Sequence, residues 1–190
     1  MTIQERLYTV DDLRDIEALP ENKDKLFELI KGVIYEVAYP SPTHNLIVQE
    51  IQTSIRSFSK SKKLGFAFTD TVSYRLPNGD EFAPDVSFVS YKRQSLPLPT
   101  QFEFAPDMAV EVASPSNRER ELHDKAESML QCGTKFIWIA YPASKIVDVC
   151  HVAPDGSLNI RKVGIDGILD GEDVLPGFTL AVKDIFEIDE

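Results

Sequence analysis

A mixed central β-sheet flanked by helices, an α/β (α+β) class, is what this sequence predicts. One observation is apolar residues at helical spacing, Ile47, Ile51, Ile55 and Phe58, which give a helix with one buried face. Another is a set of short, nearly continuous apolar runs, above all Phe136-Ile137-Trp138-Ile139-Ala140, as expected of strands covered on both faces. Finally, no Gly-rich phosphate loop follows a strand, which argues against a doubly wound nucleotide-binding fold.

The elements follow in order. Thr9 can cap a short helix that runs to about Ala18, with Pro20 marking its end. Leu26–Ile30 and Val33–Val37, joined by Lys31-Gly32, read as an N-terminal hairpin. Ser41-Pro42 pairs a cap with a proline at the first helical position and opens the helix of Ile47 to Phe58. Strand patterns then run from Phe66 to Tyr74 and from Phe82 to Val89, joined by the turn Pro77-Asn78-Gly79-Asp80. After the Pro-rich loop Leu96–Pro99 comes the strand around Met108–Val112. Ser116-Asn117-Arg118-Glu119 has capping-box spacing for a helix that Gly133 can close. Beyond Phe136–Ala140, residues 146–180 read as a C-terminal extension of small strands with Gly turns, ending in a small helix near Ala181–Phe186.

Composition bounds the function. At 190 residues and 43% hydrophobic content, residues 1–190 read as a single domain. The net charge of −11 excludes a broad basic surface for nucleic acid, but not a small groove in which metal ions carry positive charge. Two cysteines, Cys132 and Cys150, permit neither a disulfide framework nor a four-cysteine zinc site and read as small core residues. The start of the chain lacks a signal-peptide pattern, and no apolar run approaches the roughly 20 residues needed to cross a bilayer. The expectation is a cytoplasmic protein with no membrane partner.

The chemistry concentrates in two apolar runs that each carry one carboxylate. Asp85 stands in Pro84-Asp85-Val86-Ser87-Phe88-Val89, and Glu111 in Met108-Ala109-Val110-Glu111-Val112-Ala113-Ser114. An ionised carboxylate costs several kcal/mol to bury unless a cation or donors meet it. Two in neighbouring strands repel, and a divalent metal relieves both costs. The competing reading puts each at a strand end, in solvent or on a backbone cap. Lys125 is equally open: it flanks the apolar face of Leu122, Ala126, Met129 and Leu130, yet forms an i,i+4 pair with Glu121 that suits an exposed surface. Glu28, alternating with Phe27 and Leu29, is either a third acidic group of the site or the polar face of the hairpin, with the latter favoured. His44, near a helix start, can reach a phosphate or simply lie on the surface. Lys60, Lys62 and Lys63 read as a solvated helix end. His123 and His151 lack zinc-ligand spacing, and Ser114-Pro115-Ser116 lacks the glycines of a nucleophile elbow.

These residues also carry a resemblance. Glu28-Leu-Ile-Lys-Gly32, His44 at a helix start, Pro84-Asp85-Val-Ser-Phe-Val, Pro106-Asp-Met-Ala-Val-Glu111-Val-Ala-Ser-Pro-Ser116, Lys125 eight residues before Gly133, Phe136-Ile-Trp-Ile and Leu175-Pro-Gly-Phe-Thr-Leu occur in order along nearly the whole chain. Together they resemble the Uma-two-type restriction-endonuclease-like family, bacterial members of the PD-(D/E)XK nuclease-like superfamily. The resemblance implies a restriction-endonuclease-like fold and an Mg2+ (or Mn2+)-dependent endonuclease acting on DNA. Asp85 and Glu111 would ligate the metal with the backbone carbonyl of Val112, Lys125 would assist, and Glu28 would complete the acidic set. The superfamily lysine two residues after the glutamate is Ala113 here, and the family lysine on the following helix maps onto Lys125. Two rival readings stand beside the enzyme: a catalytically inactive nuclease-fold module for nucleic-acid binding or assembly, and a structural homodimer built on an apolar sheet edge.

Overall fold

The computed structural model describes residues 7–114 and 119–187. Capping chemistry sets the first helix, α1 (Val10–Glu17): the Thr9 side chain accepts from the Asp12 N–H, and the Asp12 carboxylate accepts from the Thr9 N–H at 2.8 Å. A single 3-10 turn, Pro20–Asn22, leads to strands β1 (Leu26–Ile30) and β2 (Val33–Val37). Lys31 and Gly32 both take positive φ, 50° and 75°, the twist a two-residue hairpin loop requires. Helix α2 (Pro42–Lys62) starts at Ser41, whose hydroxyl accepts the His44 N–H, and buries Ile47, Val48, Ile51 and Ile55. Its basic end at Lys60, Lys62 and Lys63 is exposed, as expected of a terminus that complements the helix dipole.

The next stretch departs from the sequence reading. Four short strands replace the two expected over 66–74 and 82–89: β3 (Gly65–Thr69), β4 (Tyr74–Arg75), β5 (Glu81–Phe82) and β6 (Val86–Ser90). A turn at Asp70 ends β3, and Pro84, with no N–H to give a ladder, separates β5 from β6. The Pro77–Asp80 turn therefore joins β4 to β5, which belong to a different sheet from β3 and β6. The remaining elements are β7 (Met108–Val112), α3 (Glu119–Gln131), β8 (Phe136–Tyr141), β9 (Ile146–Val152), β10 (Leu158–Val163), β11 (Ile168–Asp170), β12 (Thr179–Ala181) and α4 (Val182–Phe186). Gly133, at φ 107°, follows the end of α3 as its spacing suggests, whereas most of the capping box at 116–119 lies outside the described residues.

The central sheet has six strands in the order β10-β9-β8-β7-β6-β3, parallel only between β7 and β8. A second sheet, β2-β1-β5-β4, carries the hairpin. One face of the central sheet packs Val110, Phe136 and Trp138 against Ile51 and Ile55 of α2 and Ile185 of α4. The other packs Ala109, Ile137 and Ile139 against Leu122 and Met129 of α3 and against Tyr74 and Phe82 of the second sheet. Each large side chain so buried contributes on the order of 1.5–3 kcal/mol, so both faces are firmly closed. The mixed sheet between helices is the expected architecture. Cys150 is buried and Cys132 only half-buried, both as free thiols. Among the described residues no helix is long and apolar enough to cross a membrane.

Gly65 shows how tightly α2 hands over to the sheet. A Cβ there would lie 2.2 Å from the Val89 carbonyl oxygen and 2.7 Å from the Ser90 Cα. Backbone cannot yield as a flexible side chain can, so Gly65→Ala is expected to lose roughly 1–3 kcal/mol in urea unfolding. Unchanged stability would show that this strand edge is loosely held.

Candidate active site

Asp85 enters the site through proline chemistry. It stands just before β6 rather than within it, because Pro84 delays the strand by one residue. Its carboxylate Oδ2 accepts the Val112 N–H at 2.7 Å, extending the β6–β7 pairing by a side chain. Glu111 is different: it lies inside β7, 4% exposed, on the α3 face beside the small Ala109. An unscreened carboxylate in that position needs a cation.

Lys125 supplies one. It leaves α3 towards the sheet and is 6% exposed. Its ammonium Nζ lies 2.8 Å from Glu28 Oε1 and 3.1 Å from Glu111 Oε1, over the Phe82 ring. The ammonium donates to Glu111 Oε2 at 3.2 Å, while Oε1 is close enough for attraction but accepts no hydrogen bond. Glu28 thus turns into the site from β1, and its Oε1 also accepts the Ala83 N–H at 3.0 Å. The hairpin is held there by Lys31, whose N–H donates to Asp80 and whose ammonium reaches Asp124 and Glu127 of α3.

Charge is unbalanced here, with Glu28, Asp85 and Glu111 around one ammonium. Burial, then Asp85 and Glu28, push the Glu111 carboxyl well above the usual carboxylate range, although Lys125 opposes them. Burial would strip the proton from Lys125, but Glu111 and Glu28 outweigh it and hold the ammonium charged. Burial leads for Glu111, whereas the surrounding carboxylates decide the direction for Lys125.

His44 is no plain surface residue. Its side chain is 11% exposed; Nε2 lies 3.0 Å from the Val112 carbonyl and 3.3 Å from Asp85 Oδ2. Since a carbonyl only accepts, Nε2 carries the hydrogen. Burial opposes charging the ring, yet Asp85 and the Val112 carbonyl together raise its pKa above the ordinary histidine value. Sequence reasoning missed Asp70. Thr69 pairs with Val86, so the ladder places Asp70 beside Asp85, and burial and Asp85 raise its pKa while His44 lowers it. An aspartate after a strand reads as a turn former, so only the register identifies it.

The structure thus joins Glu28, Glu111 and Lys125 directly, and links Asp85, Val112 and His44 beside them. Among the described residues no three His, Cys, Asp or Glu side chains form a ready-made metal cage. Ala113, two residues after Glu111, gives its N–H to the Ala140 carbonyl at 2.8 Å.

Comparison with known proteins adds two findings. The model of the Uma2 family, described as "Putative restriction endonuclease", matches residues 12–183. The crystal structure of a putative nuclease belonging to DUF820, from Anabaena variabilis ATCC 29413, superposes with a TM-score of 0.79 over 94% of this chain and 97% of that one, at 23% identity. At that identity the likeness establishes the fold. No curated protein matches the chain.

The charge surplus has a stability signature. A carboxyl whose folded-state pKa exceeds its unfolded value stabilises the fold most below about 4.5, and that contribution is lost as pH rises through the folded-state pKa. Glu111→Gln removes the ionisation, so the variant is expected to be more stable than the parent at pH 8, with the gap closing towards pH 4.5. A Gln variant weaker at every pH would contradict the charge reading. Lys125→Met leaves Glu28 and Glu111 without their cation and is expected to cost roughly 3–5 kcal/mol at pH 8 in the same assay.

Proposed function

We propose that this chain, which belongs to the Uma2 family, described as putative restriction endonucleases, is a divalent-metal-dependent endonuclease that hydrolyses DNA phosphodiesters. The observation that carries the reading is the surplus of carboxylates around Lys125, with Glu111 Oε1 buried and accepting no hydrogen bond. The donor set fits a hard cation such as Mg2+ or Mn2+. Asp85, Glu111 and the Val112 carbonyl offer oxygens only, and a carbonyl holding one His44 hydrogen bond keeps a second lone pair. One of the three donors is backbone, and two are side chains.

Bound there, a divalent ion supplies Lewis acidity at the phosphoryl oxygen and a water of lowered pKa. The side chains do the rest. Lys125 stays protonated, so it cannot serve as the base; it steadies charge gathering on the phosphorane oxygens and orients the attacking water. Glu28 fixes that ammonium from the hairpin side. His44 is a positioning residue, holding the Asp85 carboxylate and the Val112 carbonyl in register. An acidic chain repels phosphodiesters, so substrate binding weakens without metal.

Ala113 favours a second reading, a nuclease fold that binds nucleic acid without cutting it. Purified protein incubated with plasmid and linear DNA in Mg2+ or Mn2+ separates the two. Expected are cleavage abolished by a chelator and lost in Asp85→Ala and Glu111→Ala, and a rate lowered roughly 10²–10³-fold in Lys125→Met. Cleavage unchanged in those variants, or none under any condition, would overturn the catalytic reading. Metal alone should also raise the melting temperature, since a ligand at 100 times its Kd stabilises the folded state by about 2.7 kcal/mol.

A further inference from the structure

A second feature adjoins the site and plays no part in the chemistry above. From His44 and Ala113 a cavity of about 570 Å³ runs across the end of the central sheet, walled by Leu122, Tyr141, Pro142 and Ile146. Most of this lining is apolar. At its polar end is Asp148, 1% exposed, whose Oδ1 has no hydrogen-bond partner among the described residues.

The strand register relates the cavity to the catalytic carboxylates. Glu111 pairs with Ile139, Ile139 with Asp148, and Asp148 with Lys162, so these four form one row across β7, β8, β9 and β10. Asp148 is therefore two strand spacings from Glu111, roughly 10 Å. That is the scale of one nucleotide from phosphate to base edge. A buried acceptor without a partner costs free energy that an N–H donor from a ligand would recover. Burial pushes the Asp148 carboxyl up, with Lys162 and His123 opposing and Glu119 adding to the rise. Tyr141 keeps its hydroxyl proton, because burial and then Asp148 raise its pKa, and its hydroxyl, held among the described residues only by a long 3.5 Å contact with His123 Nε2, adds a donor to the same cavity.

We propose that this cavity is a base-recognition subsite which takes an unpaired guanine of the nucleic acid whose phosphate lies at the catalytic carboxylates, with Asp148 reading its N–H edge. The inference rests on the nuclease reading for the identity of that phosphate. Guanine is the base that offers two adjacent N–H donors, N1 and N2, to a carboxylate, and acceptors at O6 and N7 for the Tyr141 hydroxyl and Lys162 ammonium. Adenine and cytosine would turn a ring lone pair towards Asp148. The apolar walls suit the faces of a base taken out of its stack. Substrates with an unpaired guanine beside the scissile bond are then preferred over fully paired duplex.

The test uses uncharged deoxynucleosides, so that neither metal nor the chain's net charge enters. In ¹H–¹⁵N spectra of the full chain without metal, deoxyguanosine is expected to shift the amides of Ala143, Ser144 and Ile146, with a Kd at least tenfold below those of the other three. Asp148→Asn, nearly isosteric, should raise that Kd about tenfold while leaving the rest of the spectrum in place. No shift with any nucleoside, equal shifts with all four, or an unaffected Asp148→Asn would each overturn the subsite. Binding of deoxyguanosine retained in Asp85→Ala and Glu111→Ala supports it independently of cleavage. DNA cleavage without nucleoside binding sinks the subsite and spares the catalytic reading, and nucleoside binding without cleavage does the reverse.

Discussion

The Lys125 ammonium, buried between Glu28 and Glu111, is the interaction on which the site depends. It ties three elements together at one point: α3, the central strand β7 and the hairpin strand β1. Removing the ammonium from such a cluster is costly because the carboxylates it meets remain buried. The same cluster is not neutral, and that defines its character. A structural salt bridge would balance its charges, whereas this one keeps an excess of carboxylate at the place where β6 and β7 come closest to the end of α2.

His44 and Asp85 give that excess its direction. The imidazole and the Val112 N–H share one carboxylate oxygen of Asp85, and the Val112 carbonyl accepts a hydrogen bond from the ring. The backbone N–H and carbonyl of one residue, Val112, are thereby both held by side chains from other parts of the chain. Such over-determination keeps the oxygens of the site in a fixed arrangement before any ligand arrives, which is what preorganisation requires.

Much of the fold was legible because it rests on local chemistry. The Thr9 cap, the Lys31-Gly32 turn, the Ser41-Pro42 start and the apolar runs of β7 and β8 are each decided within a few residues. What failed was non-local. Residues 66–89 alternate like two long strands, and only the missing N–H of Pro84 and the turn at Asp70 divide them between two sheets. The site was legible to the same degree. Glu111 declares itself as a charge in an apolar strand, but whether Lys125 and Glu28 point inwards depends on how α3 and the hairpin cross the sheet. Asp70 and the His44 contacts are products of register and have no signature in spacing.

The hairpin has a dynamic consequence. Strands β1 and β2 are only partly buried, and their polar hold on α3 runs through the half-exposed Lys31 and through Glu28. Contact of this kind opens at a lower free energy than the six-stranded core, as a separate cooperative unit. Opening of the hairpin would withdraw Glu28 from Lys125 and leave β6, β7 and α3 in place. The fold can therefore rest in an ensemble whose minor member lacks one acid, and any partner that clamps the hairpin would shift that population without touching the central sheet.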